Sequence, residues 1–309
     1  MNKILIVDDL HPYFKKEANR IGYICDDFPS ITLPEVENII GNYVGLAIRT
    51  KFQVNESLLD KATQLKFIAR AGAGMDNIDL KTALNHNIIC INAPEANRDA
   101  VGEHTIGMLL GLMNKLRQAD NQIREGIWDR EGNRGYELKG KTVGIIGYGF
   151  MGSAFAEKLA SFGVNILAYD KYKTTWHSSP SVQKVDLATI FHQTDILSIH
   201  IPLTTETKGW ISQPFLNEFK KPFFFINTSR GEIVDTPSVL QKINEGRIIG
   251  AALDVLEIEK FPQLYQQIWY QQLIENKSVL LSPHVAGWTF ESYQKISEVL
   301  AQKLKNLKI

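Results

Sequence analysis

Three side chains of complementary chemistry stand in the second half of the chain. Arg230 lies in Asn227-Thr228-Ser229-Arg230-Gly231, Glu259 follows Ala252-Leu253-Asp254-Val255, and His284 closes Leu281-Ser282-Pro283-His284. An imidazole titrates near neutrality and can pass on the proton of an alcohol. A carboxylate beside it fixes its tautomer and favours its charged form. An arginine fork matches a carboxylate through two parallel hydrogen bonds. Brought together, these are the parts for reversible oxidation of a 2-hydroxy acid, provided something accepts a hydride.

The middle of the chain offers a place for that acceptor. An apolar strand, 142–146, runs into Gly147-Tyr148-Gly149-Phe150-Met151-Gly152, and a second strand, 164–169, ends on Asp170. Gly147 permits the tight strand-to-helix turn. Gly149 lets the backbone approach a pyrophosphate, and Gly152 lets the helix pack on the sheet. The helix N-terminus turns its N–H groups and positive dipole end to the phosphates. Asp170 stands where a carboxylate accepts hydrogen bonds from the adenosine ribose and repels a 2′-phosphate, so NAD is expected rather than NADP. Gly72-x-Gly74 lacks a third glycine and is no second fingerprint.

These groups need a scaffold that delivers distant loops to one edge. Strand-like and helix-like stretches alternate along the chain, the pattern of parallel sheets covered by helices. The first part predicts strands at 4–7, 23–26, 43–48, 66–70 and 88–91, alternating with helices at 12–20, 34–40, 56–63 and 80–85. A longer helix is predicted from 99 to about 124, then a polar loop at 125–141. Six strands follow, near 142–147, 164–169, 195–201, 222–228, 248–254 and 278–282, the complement of a Rossmann domain. The stretch 290–307 reads as one amphipathic helix with no strand partner, so it is expected to return to the first domain. The fold class is α/β, with two doubly wound parallel sheets. A discontinuous, flavodoxin-like substrate domain is expected at 1–98 and 285–309, and a Rossmann NAD-binding domain at 99–284.

Charge balance narrows the partners. Lys plus Arg and Asp plus Glu are both 34 of 309 residues, so no global field favours nucleic acid or an anionic membrane. No run approaches the roughly eighteen apolar residues that cross a bilayer. Cys25 and Cys90 cannot make a disulfide framework and read as small buried hydrophobes in a reducing compartment. The apolar opening meets Asp8 and Asp9 at once, unlike a signal peptide, and a cytoplasmic protein without a metal site is expected. The same acidic pair mimics a phosphoreceiver pocket, but Arg49 stands where the phospho-acceptor aspartate belongs, which excludes that reading.

Nearly the whole chain resembles the D-isomer-specific 2-hydroxyacid dehydrogenases. The resemblance is carried by Arg70-Ala71-Gly72-Ala73-Gly74-Met75-Asp76-Asn77-Ile78-Asp79, by Glu103-His104, by the glycine fingerprint and by His200-Ile201-Pro202-Leu203-Thr204. It continues through Asn227 to Asp235, Gly250 to Asp254, and Ser282-Pro283-His284-Val285-Ala286-Gly287. It implies that Arg230 binds the substrate's carboxylate and carbonyl, that His284 is the acid/base, and that Glu259 is its partner. Glu257, two residues earlier, is the other candidate, and family spacing selects Glu259. Lys260 departs from the family, which usually has proline there. Backbone N–H groups around Gly72, Ala73 and Gly74 are implied to hold the carboxylate. Phe150, Met151, Asp170, Ile201, Thr228, Ser229 and Asp254 are expected to line the cofactor, Asp254 at the nicotinamide carboxamide. His200, His104 and His86 are read as structural. A homodimer through the cofactor domains is implied, with the linking helix and 125–141 as candidate contacts.

Arg49, Lys51 and Arg70 follow two first-domain strands, and basic residues there suit a phosphate or a second carboxylate. Similar arginines contact substrate in phosphoglycerate dehydrogenases, so a phosphorylated 2-hydroxy acid of that kind is the leading expectation. Glyoxylate or hydroxypyruvate reduction and erythronate-4-phosphate oxidation are its rivals, the last sharing an aromatic near Trp288. An NAD-sensing corepressor of the same fold is the rival from another class. Trp288, four residues past His284, is expected either to cap the substrate or to pack at the hinge. The aromatic stretch 261–275 is expected to be a packing or interface helix.

Overall fold

The computed structural model describes residues 2–173 and 181–307. The chain divides into Met1–Arg98 with Trp288–Ile309 as one unit and Asp99–Gly287 as the other. In the first unit β1 (Lys3–Ile6), α1 (Pro12–Arg20), β2 (Ile24–Asp27), α2 (Leu33–Ile39), β3 (Gly45–Ile48), α3 (Glu56–Lys61), β4 (Phe67–Arg70), α4 (Leu80–Asn85) and β5 (Ile89–Ile91) follow in order. The strands pair in parallel as β2-β1-β3-β4-β5, the flavodoxin arrangement. Side chains alternate across each strand, which gives the sheet two buried faces. Leu5, Val7, Leu46, Ile48 and Ile68 enter one core, and Ile4, Ile6, Ala47, Phe67 and Ala69 the other. Helix starts carry their own signals: Asn55 and Asp79 accept the N–H groups of Leu58 and Thr82 as caps of α3 and α4.

From β5 the chain enters α5 (Pro94–Met113). The single helix expected from 99 to about 124 is in fact two, because α6 (Leu116–Arg124) begins after Lys115, whose φ of 52° is left-handed. The break is held locally. Asn114 Nδ2 donates to the Leu110 carbonyl at 3.0 Å, and Lys115 Nζ to the Gly132 carbonyl at 2.8 Å. Hydrophobic periodicity carries no trace of such a break.

Seven strands then form the second sheet, not six. They are β6 (Thr142–Ile146), β7 (Asn165–Tyr169), β8 (Val182–Lys184), β9 (Ile196–Ile199), β10 (Phe223–Asn227), β11 (Ile248–Leu253) and β12 (Val279–Leu281). Between them lie α7 (Phe150–Leu159), α8 (Leu187–Gln193), α9 (Gln213–Asn217), α10 (Thr236–Asn244) and α11 (Ile268–Glu275). The order is β12-β11-β10-β9-β6-β7-β8, with every pair parallel. The unexpected strand is β8, a short edge segment whose Gln183 and Lys184 are exposed, leaving no apolar pattern to read. Central strands are buried on both faces: Phe223 and Phe225 enter one core, Phe224 and Ile226 the other. The order reverses between β6 and β9, where such sheets open a ligand crevice at their carboxyl edge. In the aromatic stretch, Leu264, Trp269 and Leu273 pack into the core, while Phe261, Tyr265 and Tyr270 cluster together.

The chain ends with α12 (Phe290–Asn306), which belongs to the first unit. Ile296, Leu300 and Leu304, at four-residue spacing, join Phe14 and Ala18 of α1 in the Ile4–Phe67 core. The return junction lies at Gly287–Trp288, three residues beyond the expected one. Hydrogen bonds explain the shift: Val285 and Ala286 donate their N–H groups to the Asp254 carboxylate at 3.0 and 2.9 Å. No helix among the described residues is long and apolar enough to cross a membrane.

Candidate active site

At the end of β6, Gly147 adopts φ +91°, a conformation that a β-carbon would strain. A β-carbon on Gly152 would strike the Gly147 carbonyl, so that glycine sets how closely α7 folds back on the turn. On Gly149 the same atom would enter open space, and no side chain caps α7 there. Phe150, which opens the helix, is exposed, and Met151 is half-buried. An uncapped helix start at the switch point of a parallel sheet fits a pyrophosphate, whose oxygens take the N–H groups of the first turn.

Asp170 closes β7. Its carboxylate accepts the N–H groups of Tyr148, Tyr172 and Lys173 at 2.8, 3.0 and 2.9 Å, tying the glycine turn to the neighbouring strand. A carboxylate has about four acceptor positions, so one remains for a ribose hydroxyl. Ile201 presses its side chain against Gly147. Thr228 and Ser229 are buried with their hydroxyls turned inward. Thr228 pairs with Thr105 of α5 at 3.0 Å, and Ser229 donates to Asn227 Oδ1 at 2.8 Å.

β10, β11 and β12 are consecutive neighbours in a parallel sheet, so the loops that follow them emerge on one edge. Arg230 leaves β10 in extended backbone, with Nη1 donating to the Ser229 carbonyl at 2.7 Å. Asn227 Nδ2 donates to the Arg230 carbonyl at 3.0 Å, which fixes the turn. Gly231 packs so closely on the Leu256 backbone that no side chain fits, joining the β10 and β11 loops. Of the two acids in the β11 loop, Glu257 is engaged elsewhere, accepting the Thr236 N–H of α10 at 2.7 Å. Glu259 Oε2 lies 2.8 Å from His284 Nδ1. A carboxylate can only accept, so Nδ1 carries the proton and Nε2 is left to exchange one with a ligand. Both side chains stay reachable, at 41% and 43% exposure.

His284 has a left-handed φ of 55°, costly for any residue but glycine. Asp254 compensates. His284 donates its N–H to the Asp254 carbonyl at 2.7 Å, and Val285 and Ala286 donate theirs to the carboxylate. Ser282 Oγ donates to the same carboxylate at 2.6 Å, with His104 Nε2 3.4 Å away. The Asp254 side chain has no exposed surface, and its carboxylate holds the histidine loop. Burial pushes its carboxyl up, but the His104, Ser282, Ala286 and Val285 donors outweigh this and bring it to about 2. His200 is buried, which drives its imidazole down to about 3 and keeps it neutral. His86 lies against Asp60 at 3.3 Å, away from these loops.

The first unit carries its basic residues at the carboxyl ends of β3 and β4. Arg70 closes β4 and lays its guanidinium over Gly72. The Gly72 N–H donates to the Arg70 carbonyl at 2.9 Å. The N–H groups of Ala73 and Gly74 have no acceptor among the described residues. Asp8 Oδ2 receives the N–H groups of Arg49, Thr50 and Lys51 at 2.8, 2.9 and 3.0 Å. The Lys51 ammonium is held by the Pro29 carbonyl. Arg49 stacks on Trp288, its guanidinium carbon 3.4 Å from the ring centroid.

The profile of the D-isomer specific 2-hydroxyacid dehydrogenase NAD binding domain matches residues 106–286, more than half of the chain. The chain belongs to this family. It is thus an NAD-binding member of a group of oxidoreductases that act on the CH–OH of 2-hydroxy acids. A glyoxylate reductase of Thermofilum pendens is 38% identical over 259 residues, 82% of this dehydrogenase and 74% of that protein. A D-3-phosphoglycerate dehydrogenase of Bacillus subtilis is 34% identical over 280 residues, 89% of this chain and 52% of that one. This dehydrogenase spans about half the length of the phosphoglycerate dehydrogenases it matches. The solved D-lactate dehydrogenase of Aquifex aeolicus, complexed with NAD and lactic acid, aligns with a TM-score of 0.83 at 25% identity, covering 98% of this chain and 94% of that one. Three features of the dehydrogenase escape sequence reading: the Asp8 clamp, the Asp254–Ser282–His104 network and the Arg49–Trp288 stack. Each joins residues far apart in the chain, and only the acidic pair at 8–9 was a visible signal.

Proposed function

We propose that this dehydrogenase interconverts a D-2-hydroxy acid and its 2-keto acid through Arg230, Glu259 and His284, with a phosphorylated substrate of the D-3-phosphoglycerate kind. One observation carries the reading: His284 Nδ1 lies 2.8 Å from Glu259 Oε2, on the sheet edge that also bears Arg230. NAD, when bound, supplies the hydride exchange at the substrate's C2. Arg230 binds and orients the carboxylate through its planar fork. His284 Nε2 takes the hydroxyl proton as the carbonyl forms and returns it in reduction. Glu259 keeps the proton on Nδ1, so that Nε2 stays the exchanging atom, and it stabilises the imidazolium. The Ala73 and Gly74 N–H groups offer the carboxylate a second anchor. Gly147, Gly149, Phe150, Met151, Gly152 and Asp170 hold the cofactor, and α6 with the loop at 125–141 joins two copies in a homodimer.

Arg49 and Arg70 support the phosphorylated substrate. A second reading, a small acid such as glyoxylate or hydroxypyruvate, is favoured by the 38% identity to a glyoxylate reductase and by the engagement of Lys51 with Pro29. The test is NADH oxidation with 3-phosphohydroxypyruvate, hydroxypyruvate, glyoxylate and pyruvate. A kcat/KM at least about tenfold higher for the phosphorylated acid supports the first reading, since specificity is a ratio of these constants. The opposite order supports the second, and no oxidation with any acid defeats both.

A further inference from the structure

Asp170 is followed by Lys171, Tyr172 and Lys173, so the segment beside the ribose carboxylate carries one negative and two positive charges. Left to itself, that balance would welcome the 2′-phosphate that a lone aspartate repels. Both ammonium groups are engaged. Lys173 Nζ donates to the Tyr148 carbonyl at 2.9 Å and lies over the Tyr148 ring. Lys171 forms an ion pair with Glu206, whose other carboxylate oxygen accepts the Tyr172 hydroxyl.

Glu206 comes from another loop, the one that follows β9. In the sheet β7 and β9 flank β6, so this contact joins the two loops on either side of the glycine turn. Both ends are fixed from behind. The Thr204 N–H donates to Thr207 Oγ1 at 2.8 Å, and Thr207 Oγ1 to the Pro202 carbonyl at 2.7 Å, closing the turn that presents Glu206. Asp170 Oδ1 accepts the Tyr172 and Lys173 N–H groups on the opposite side. An isolated exposed ion pair contributes little to stability. Here, however, one carboxylate answers two groups on preset loops, and its effect falls on a ligand. Discrimination is a difference of affinities, and a charge set against the rival ligand achieves it.

We propose that Glu206 is a cofactor-specificity residue: by holding the Lys171 ammonium and adding its own charge, it denies a 2′-phosphate the cation beside Asp170 and so selects NAD over NADP. The inference rests on the placement of the cofactor at Gly149 and Asp170 proposed above. Glu206 acts through Lys171 and is a positioning residue.

The test measures dissociation constants of NADH and NADPH by fluorescence titration, on the whole chain and on Glu206→Gln, Lys171→Ala and the double variant. Glutamine keeps the side-chain length and can still accept the Tyr172 hydroxyl, so it removes the charge alone. Wild type should bind NADH the more tightly. The ratio of the NADPH constant to the NADH constant should fall about fivefold or more in Glu206→Gln, chiefly through tighter NADPH. High salt should shrink that fall, because both side chains are exposed. Lys171→Ala in the same chain should abolish the gain, which a merely structural role of Glu206 would not do. An unchanged ratio in Glu206→Gln, a fall that comes only from weaker NADH, or an equal gain without Lys171 overturns the inference alone. So does a wild type that binds both cofactors alike. A wild type that binds neither overturns the placement of the cofactor, and this with it. Should Glu206→Gln not fold, Glu206→Ala reads the same ratio.

Discussion

His284 has a strained, left-handed backbone, so the chemistry proposed for it and its positioning separate by mutation. His284→Ala should lower kcat by about 10²–10⁴, the usual range for a general acid/base, while NADH affinity measured by fluorescence holds. Turnover at the wild-type rate would remove His284 from the mechanism. Asp254 acts one step back. A carboxyl held below its ordinary 3.8, at about 2, favours the folded state only when ionised. Its contribution, about 2 kcal/mol from that difference, is complete above about pH 4 and is lost as pH falls toward 2. Asp254→Asn should therefore cost about 1–3 kcal/mol of unfolding free energy at pH 7, because the Val285 and Ala286 N–H groups lose their anionic acceptor. The gap to wild type should narrow below about pH 4 in denaturant titrations. A gap constant with pH would mean that the ionised carboxylate is not what holds the loop.

At the scale of elements, the β6–α7 turn separates room for the fold from room for a ligand. A β-carbon at Gly152 would sit 2.0 Å from the Gly147 carbonyl oxygen, whereas at Gly149 it meets nothing within 4 Å. Gly152→Ala should cost about 1–3 kcal/mol of stability, as overpacking does, and weaken NADH binding with it. Gly149→Ala should leave the melting temperature nearly unchanged yet weaken NADH by about tenfold or more, since its methyl fills the pyrophosphate's approach. Equal NADH affinity in Gly149→Ala and wild type would move the cofactor elsewhere. The central strands of this sheet were legible because apolar runs such as Thr142–Ile146 and Phe223–Asn227 are buried on both faces. β8 was not legible, since a short edge segment with two exposed polar residues has no pattern. The α5–α6 break was hidden for another reason: the left-handed Lys115 is held by Asn114 and Gly132 through polar contacts that leave hydrophobic periodicity untouched. In the site, residue type and spacing singled out Arg230, Glu259 and His284, whose loops follow neighbouring strands of one sheet. They gave no sign of the network around Asp254, because its partners at 104, 282, 285 and 286 meet it only once the sheet is assembled.

At the scale of the molecule, the unmet demand is the exposed apolar face of one helix. α6 buries none of its residues, although Leu116 and Ile123 share one face at seven-residue spacing. Ile127, Trp128 and Tyr136 in the following loop are exposed as well, Trp128 by 81%. Scattered exposed apolar residues are ordinary, but several within one short stretch mark an interface. With 34 basic and 34 acidic residues, no net charge holds two copies apart. The dehydrogenase should therefore elute as a dimer, and Ile123→Glu combined with Trp128→Glu should release monomers by placing like charges on an apolar contact. Both substitutions lie on exposed side chains, so circular dichroism and the melting of the monomer should report an intact fold. Light scattering that finds the doubly substituted protein still dimeric would exclude this face as the contact. A wild-type monomer at micromolar concentration would leave the exposed Trp128 without a second copy to explain it.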